Sequence, residues 1–457
     1  MDEDEQLASD KPPKASHLCV LVHGLWGNPK HMAYIASALR EKYTEDELEI
    51  LTAKANSYSF TYDGIDLGAE RVTQEIEGFI REFETRGGRI KKLSVVGYSL
   101  GGLVARYAIG LLYSNGWFER IQPVNFTTFA TPHLGVRTPL LGVHNRLFNV
   151  LGSRTLSASG RQLFTIDSFR DTKRPLLSVL ADPDSVFILT LVQFKHRVLY
   201  ANIVNDRSVP YYTACVSTID QFVNLDAIDI NYLPDYDPIV LDPTDPVKLK
   251  PPHLQPPLLS RLVGSSQTLL TRVPMFALFF VLIPLGTVVF LINSGYQSLR
   301  SQQRIKLHEA GKAGIGLGSY RIPLLVENAR GAMEGAFENM NAGQKQQYLP
   351  IGDSDDSDED GSSRDGKNAT GKPRSNSTGS LLKRTSSRHD DFQTLALTPE
   401  QFAMVQALND VGFRKHRVHI HKVRHSHAAI IYRHQPRKGL DEGVIVARHW
   451  LNEEFEI

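Results

Sequence analysis

Cysteine is almost missing from this chain: Cys19 and Cys215 are the two in 457 residues. Both sit in apolar runs that read as strands, where a buried thiol behaves as a small hydrophobe. A disulfide framework is therefore not expected, and a reducing compartment fits the composition. An excess of one charge is also missing, since Lys+Arg total 51 and Asp+Glu 50. That balance gives no pull toward nucleic acid, and no nucleic-acid motif is present. The opening MDEDEQLASDKPPK lacks the basic start and apolar centre of a secretory signal peptide. No internal repeat occurs. The length allows one large domain with additions, or two domains.

Two internal stretches are defined by what they lack. Residues 273–292, VPMFALFFVLIPLGTVVFLI, contain no charge. Residues 352–391 contain few large apolar side chains and are rich in Ser, Asp and Gly, so disorder is expected there. These features divide the chain. A flexible tail covers 1–16, and the first part of a folded core covers 17–232. A Pro-rich extended linker covers 233–262, and a membrane-associating segment 263–300. An amphipathic or irregular stretch covers 301–351, an acidic Ser-rich segment 352–392, and the rest of the core 393–457.

Within 17–232 apolar runs alternate with helix-like stretches. HLCVLV (17–22), LEILTA (48–53), LSVVGY (93–98) and VNFTTFA (124–130) read as strands. Between them, 29–41 and LVARYAIGLLY read as helices. IDLGAERVTQEIEGFIREFE carries Val72, Ile76, Phe79, Ile80 and Phe83 at helical spacing, closed by Gly87-Gly88. This alternation predicts a mostly parallel sheet with helices on both faces.

Gly97-Tyr98-Ser99-Leu100-Gly101 stands between a strand and a helix, the context of a nucleophile elbow. Flanking glycines remove side chains that would clash across so sharp a turn. The serine then sits at a helix N-terminus, where free N–H groups favour developing negative charge. The bland alternative is a Gly-rich turn with an incidental serine. Against it stands His23-Gly24-Leu25-Trp26-Gly27, directly after the first strand. Acyl transfer needs two N–H donors for the oxyanion; Leu100 and Leu25 are the candidates. His23 reads as an organiser of its loop, and His133 of Thr131-Pro132-His133 as another structural histidine.

The acid follows the serine in this order of motifs. RVLYANIV reads as a strand whose turn carries Asp206; Asp167 and Asp220 end no comparable strand. The alternative for Asp206 is a turn residue bonding its own backbone. The base comes later still, in RKHRVHIHKVRHSHAAIIYRH (414–434), with six histidines: His416, His419, His421, His425, His427 and His434. His419, His421, His425 and His427 would share one face of a strand, which suggests a metal site. No carboxylate or cysteine is interleaved, so no metal is expected. RVHIHKV is instead expected to be a strand, followed by a loop with His427 as base and His425 second.

LVHGLWGN, GYSLGGLVARYAIG, FATPHLG, YANIVNDRSVP and HSHAAIIYR occur in this order. Together they resemble the fungal serine-esterase family of α/β-hydrolase lipases, over about 17–232 and 400–457. The resemblance implies an α/β-hydrolase fold with Ser99, Asp206 and His427 as triad, needing no cofactor. It implies glycerolipid and phospholipid esters as substrates, and phospholipase action at lipid droplets. Alternatives keeping the triad are an acylglycerol lipase, a thioesterase or an acyltransferase. A membrane-bound interaction protein on an inactive scaffold is the alternative from another class.

Two insertions complete the expected architecture. Residues 135–190 include TPLLGVHNRLFNVLG, readable as a core helix or as a lid over an acyl-chain pocket. Residues 273–292 contain fourteen Leu, Ile, Val or Phe, favouring insertion by about 4–8 kcal/mol. Ser99 and Asp206 precede this stretch and His427 follows it, so a single span would separate them by about 30 Å of hydrocarbon. Pro284-Leu285-Gly286 near its middle permits a turn. The expectation is a monotopic hairpin on the lipid-droplet surface with the catalytic domain facing the cytosol, and the endoplasmic reticulum as second location. Ser354, Ser357, Ser386 and Ser387 offer phosphorylation contexts in the acidic segment. Asn368 and Asn376 begin glycosylation acceptor patterns that a cytosolic location would leave unused.

Overall fold

Strand β1 (His17–Val22) is buried at all six positions, which its unbroken apolar run requires. β2 (Leu48–Thr52), β3 (Lys92–Tyr98), β4 (Gln122–Phe129) and β5 (His196–Asn202) follow within the first 202 residues. β6 (Ile228–Ile230) and β7 (Val247–Leu249) form a separate antiparallel pair. β8 (Arg414–Val418) joins the main sheet, whose order is β2-β1-β3-β4-β5-β8 with every pairing parallel. The computed structural model describes residues 12–137, 157–251, 292, 295–308, 348, 392–433 and 439–457.

Side chains alternate between two cores, one on each face of the sheet. Leu18, Val20 and Val22 of β1 enter one cluster, while Cys19 and Leu21 enter the other. Helix α1 (Ala33–Lys42) covers the second cluster through Ile35 and Leu39. Helix α2 (Ile65–Thr85) covers the first through Val72, Ile76, Ile80 and Phe83, the spacing legible in sequence. Helix α3 (Leu100–Ser114) packs beside α2 and is buried almost all round. The chain leaves β1 toward β2 on one side, then returns past β1 to lay β3 on the other. The C-terminal ends of β1 and β3 therefore border the crevice where the winding reverses, which in open α/β sheets receives ligands.

The described part of the 135–190 insertion is core. Helix Val186–Leu191 packs on α3, with Phe187 4.8 Å from the Tyr107 ring, and Leu176, Leu177 and Leu180 are fully buried. The lid reading of TPLLGVHNRLFNVLG, 138–152, lies outside the described residues. So do the apolar stretch up to Leu291 and the acidic segment with its phosphorylation and glycosylation patterns.

Three features depart from the sequence expectations or extend them. The strand expected over 417–423 ends at Val418, because His419 N–H turns to the Ile239 carbonyl at 2.8 Å. The four histidines that would have shared a strand face therefore do not. Residues 233–241, from the stretch read as a linker, pack into the folded body, with Tyr236, Ile239 and Val240 buried in the second core and Leu241 in the first. Val240 bridges Val418, so the outer edge of β8 is covered. Finally, the helical residues 295–308 bury a polar face, Gln297, Ser301 and Arg304. Ile292, Tyr296 and Leu299 stay 69%, 50% and 63% exposed.

The C-terminal part adds to both cores, residues 395–413 to the first and 418–455 to the second. Helix α4 (Pro399–Asp410) starts in a capping box between Thr398 and Gln401. Helices α5 (Ser426–Ala429) and α6 (Gly443–His449) follow β8. Trp450 is wholly buried, edge-on to Phe129 at 5.7 Å and Phe455 at 5.1 Å, and its Nε1–H donates to Thr127 Oγ1 at 3.1 Å. Trp450→Ala should destabilise the fold by about 3–5 kcal/mol. Urea unfolding should show this as a lower midpoint at unchanged slope.

Candidate active site

Ser99 ends β3 and is the N-cap of α3, with φ 55° and ψ −129°. A non-glycine residue rarely adopts this left-handed conformation, which is a local strain. Its own N–H donates to the Phe129 carbonyl at 2.9 Å, tying the elbow to β4. Strand and helix meet through Gly97 and Gly102: a Cβ on Gly97 would lie 2.4 Å from Gly102 Cα. Gly101, the other glycine of the motif, serves a different contact, facing the Val22 carbonyl of β1.

Ser99, Asp206 and His427 meet at one point. Ser99 Oγ–H donates to His427 Nε2 at 2.9 Å, and His427 Nδ1–H donates to Asp206 Oδ2 at 2.9 Å. The tautomer follows from the two partners, since the carboxylate can only accept. His427 and Asp206 side chains are 4% and 2% exposed. Asp206 divides its two oxygens: Oδ1 accepts the N–H groups of Ser208 (3.1 Å) and Val209 (2.8 Å), which holds the turn. Oδ2 accepts from His427 and from Asn202 Nδ2 at 2.9 Å. The backbone-bonding and imidazole-orienting readings of this residue thus both describe it.

The β5–β8 ladder brings these parts together. Its register runs from Val198 opposite Arg414 to Asn202 opposite Val418. The turn after β5 and the loop after β8 then run side by side. Ser426 fastens them, donating its hydroxyl to the Val204 carbonyl at 2.8 Å and its N–H to that of Asn205 at 3.3 Å. Tyr98 holds His427 from below: its hydroxyl donates to the His427 carbonyl at 2.9 Å, ring centroids 5.1 Å apart. Asn202, Tyr98 and Ser426 were not singled out in the sequence. Only adjacency to motif residues could have pointed to them.

Leu25 and Leu100 line the same pocket as Ser99 and His427. Leu100 is the first residue of α3, where an N–H has no partner within the helix. In the facing loop, Trp26 N–H is engaged by Thr61 Oγ1 at 3.1 Å and Gly27 N–H by the Gly24 carbonyl at 3.0 Å. Gly24 lets that loop approach the serine, since a Cβ there would lie 2.7 Å from Ser99 Cβ. The remaining wall is mostly apolar, with Val136, Leu163 and Val209 among it, and Arg433 supplies a guanidinium.

The other histidines lie elsewhere. His23 stitches its loop, meeting the Gly24 carbonyl and Ser57 Oγ at 3.1 Å each. His133 is buried against Thr128 Oγ1 at 3.0 Å; burial, aided by Arg106 and Lys415, pushes its pKa well below the usual range and keeps it neutral. His416 meets Glu454 at 2.9 Å, His419 the Tyr232 hydroxyl at 2.7 Å, and His421 Glu442 at 3.3 Å. His425 is exposed at the N-cap of α5, and His434 lies outside the described residues. Among the described residues, no group of His, Cys, Asp and Glu could hold a metal ion. Asp167 and Asp220 each accept a backbone N–H, from Leu176 and Phe222.

Residues 12–219 match the sequence family described as "Putative serine esterase (DUF676)". "Putative lipase C4A8.10" of Schizosaccharomyces pombe is 31% identical over 210 residues, covering 44% of this chain and 26% of that protein. "Putative lipase ROG1" of Saccharomyces cerevisiae is 31% identical over 215 residues, covering 46% and 30%. The chain thus spans well under half the length of either relative. Among solved structures, an extracellular α/β-hydrolase from a Paenibacillus species overlaps 28% of this chain and 45% of its own, at 18% identity and TM-score 0.19. The α/β-hydrolase fold rests on the strand order and the elbow.

His427→Ala should lower ester hydrolysis by about 10⁴-fold or more, as loss of a triad base does. His425→Ala should stay close to the wild type. Initial rates on a p-nitrophenyl ester separate the two, and equal rates would remove His427 from the mechanism.

Proposed function

We infer that this chain is a serine hydrolase of carboxylic esters acting through Ser99, Asp206 and His427, a reading supported by the match of residues 12–219 to the serine esterase family. The observation that carries this reading is the unbroken line of hydrogen bonds from Ser99 Oγ through His427 to Asp206. Neutral His427 takes the Ser99 proton at Nε2 as the hydroxyl attacks an ester carbonyl. Asp206 holds the imidazole and stabilises its cation. The N–H groups of Leu25 and Leu100 receive the oxyanion. The imidazolium then protonates the leaving alcohol, and water, deprotonated by His427, hydrolyses the acyl-enzyme.

The relatives bear the name lipase, and the substrate class carried to this chain is glycerolipid. Within that class the pocket favours a phospholipid over a neutral acylglycerol. Its apolar wall suits an acyl chain, and Arg433 suits a phosphate, which a triacylglycerol lacks. Purified wild type, Ser99→Ala and Arg433→Gln can be compared on labelled phosphatidylcholine, triacylglycerol and a soluble thioester. Ser99→Ala should lose all activity, and Arg433→Gln, whose Nη1 also donates to the Tyr98 hydroxyl at 3.5 Å, should lose about tenfold or more on the phospholipid beyond any loss common to all substrates, the worth of one charge-assisted hydrogen bond. Equal loss on all substrates would return the acylglycerol lipase or thioesterase reading.

The proposed location is the cytosolic face of a lipid droplet, reached by a hairpin of 273–292. Two described flanks support a hairpin over a single span. Pro251 follows β7, and Arg304, twelve residues after the apolar stretch, is bound to Asp63 of the same folded body. The outward Ile292, Tyr296 and Leu299 extend apolar surface onto the next helical turns. Among the described residues no helix is long and apolar enough to cross a membrane. Tags inserted after Gln255 and Ala310 should be equally exposed to protease on intact microsomes; opposite protection would overturn the hairpin.

A further inference from the structure

Asp63 is a fully buried carboxylate that receives two guanidiniums. One comes from α2: Arg71 Nη2–H donates to Oδ2 at 2.7 Å. The other arrives from far along the chain. Arg304 Nε–H donates to Oδ2 at 2.8 Å and Nη2–H to Oδ1 at 2.6 Å, a planar fork on the carboxylate. Arg304 Nη2 also donates to the Ser59 carbonyl at 2.9 Å, and both guanidiniums lie over the Phe60 ring, at 4.7 and 5.2 Å. Helical residues 295–308 thus grip the segment 59–63 from outside.

That segment in turn carries the loop proposed to bind the oxyanion. Trp26 N–H donates to Thr61 Oγ1 at 3.1 Å, and its indole Nε1–H to the Tyr62 hydroxyl at 2.7 Å. Tyr58 N–H donates to the Gly27 carbonyl at 2.8 Å, and Ser57 Oγ meets His23 Nε2 at 3.1 Å. Four hydrogen bonds therefore suspend residues 23–27 from 57–62. Trp26 itself holds φ 55°, a conformation its surroundings must impose. Leu25 lies between these anchors, with no anchor of its own among the bonds just given.

We propose that Arg304 is a positioning residue for the oxyanion loop, acting through Asp63 and the 57–62 segment on Trp26 and hence on the Leu25 N–H. The inference rests on the reading of Leu25 as an oxyanion donor. It gives the insertion a part in catalysis: the helix that continues from the apolar stretch braces the loop beside the nucleophile. Preorganised donors act only when aimed at the oxyanion, and a displacement near 1 Å is costly. The brace can be removed without stranding a charge, because Asp63 keeps Arg71.

Full-length wild type, Arg304→Ala, Arg304→Lys and Tyr62→Phe are compared on a soluble p-nitrophenyl ester, each labelled with 5-fluorotryptophan. The chain has three tryptophans, so Trp26 gives one ¹⁹F line of three, assigned with Trp26→Phe. Arg304→Ala should lower kcat by about 10–100-fold, the range of a misplaced catalytic group, with KM nearly unchanged and the Trp26 line shifted. Arg304→Lys keeps the charge without the fork and should fall between. Combining Arg304→Ala with Tyr62→Phe should cost less than the product of the two losses, since both act through Trp26. Unchanged kcat in an active enzyme, an unmoved Trp26 line, or fully multiplicative losses would overturn the proposal. If the wild type hydrolyses no ester, the hydrolase reading fails, and the Trp26 line alone then tests the brace.

Discussion

The parallel pairing of β5 with β8 is the contact on which the site depends. Between them the chain runs more than two hundred residues, from Asn202 to Arg414. Only five register pairs return it to the sheet. Yet a parallel ladder aligns the ends of its two strands in the same direction. The turn carrying Asp206 and the loop carrying His427 therefore emerge side by side. The bonds from Ser426 to Val204 and Asn205 then set their separation. A residue far away in sequence becomes a hydrogen-bond neighbour because β5 leaves one edge of the sheet open and β8 takes it. Residues 239–241 cover the outer edge of β8.

Around that contact the elbow is assembled under strain. Ser99 holds a backbone conformation that costs of order 1–3 kcal/mol. It persists because the Phe129 carbonyl holds its amide and glycines remove the clashes on both sides. The strain lifts the hydroxyl from the sheet toward the imidazole. Gly24 admits the facing loop from β1, whose end adjoins that of β3 at the reversal of winding. Ser99 and the loop carrying Leu25 thus follow two neighbouring strands, while Asp206 and His427 follow two others.

The same geometry bears on the proposed hairpin. Both flanks of the apolar stretch belong to one folded body, so the sheet and a single membrane crossing compete for the same chain. The helix over 295–308 buries the polar Gln297, Ser301 and Arg304 while Tyr296, Leu299 and Leu307 stay exposed. A buried arginine is tolerable there because Asp63 accepts it bidentately, and the carboxylate is itself held by a second arginine.

Much of this was legible in residue order alone. Buried parallel strands need unbroken apolar runs, so β1, β3 and β4 stand out to within two residues of their ends. The elbow is local, written in five consecutive residues, and α2 declares its buried face by its period. Asp206 stands out in the sequence because its turn follows a clear strand. Other features belong to the tertiary structure. Nothing in the spacing of six histidines distinguishes His427 from His425; burial beside Tyr98 and Asp206 does so. The extent of β8 was misjudged because His419 bonds to Ile239, a partner 180 residues earlier in the chain. Residues 233–241 read as a linker because their prolines mark extended chain, and extended chain can still be core. Arg304 looks like any charge on an amphipathic stretch until the fold sets a buried carboxylate opposite it. Local conformation follows from neighbours in sequence, whereas the pairing of distant groups depends on which edges and faces the fold leaves open.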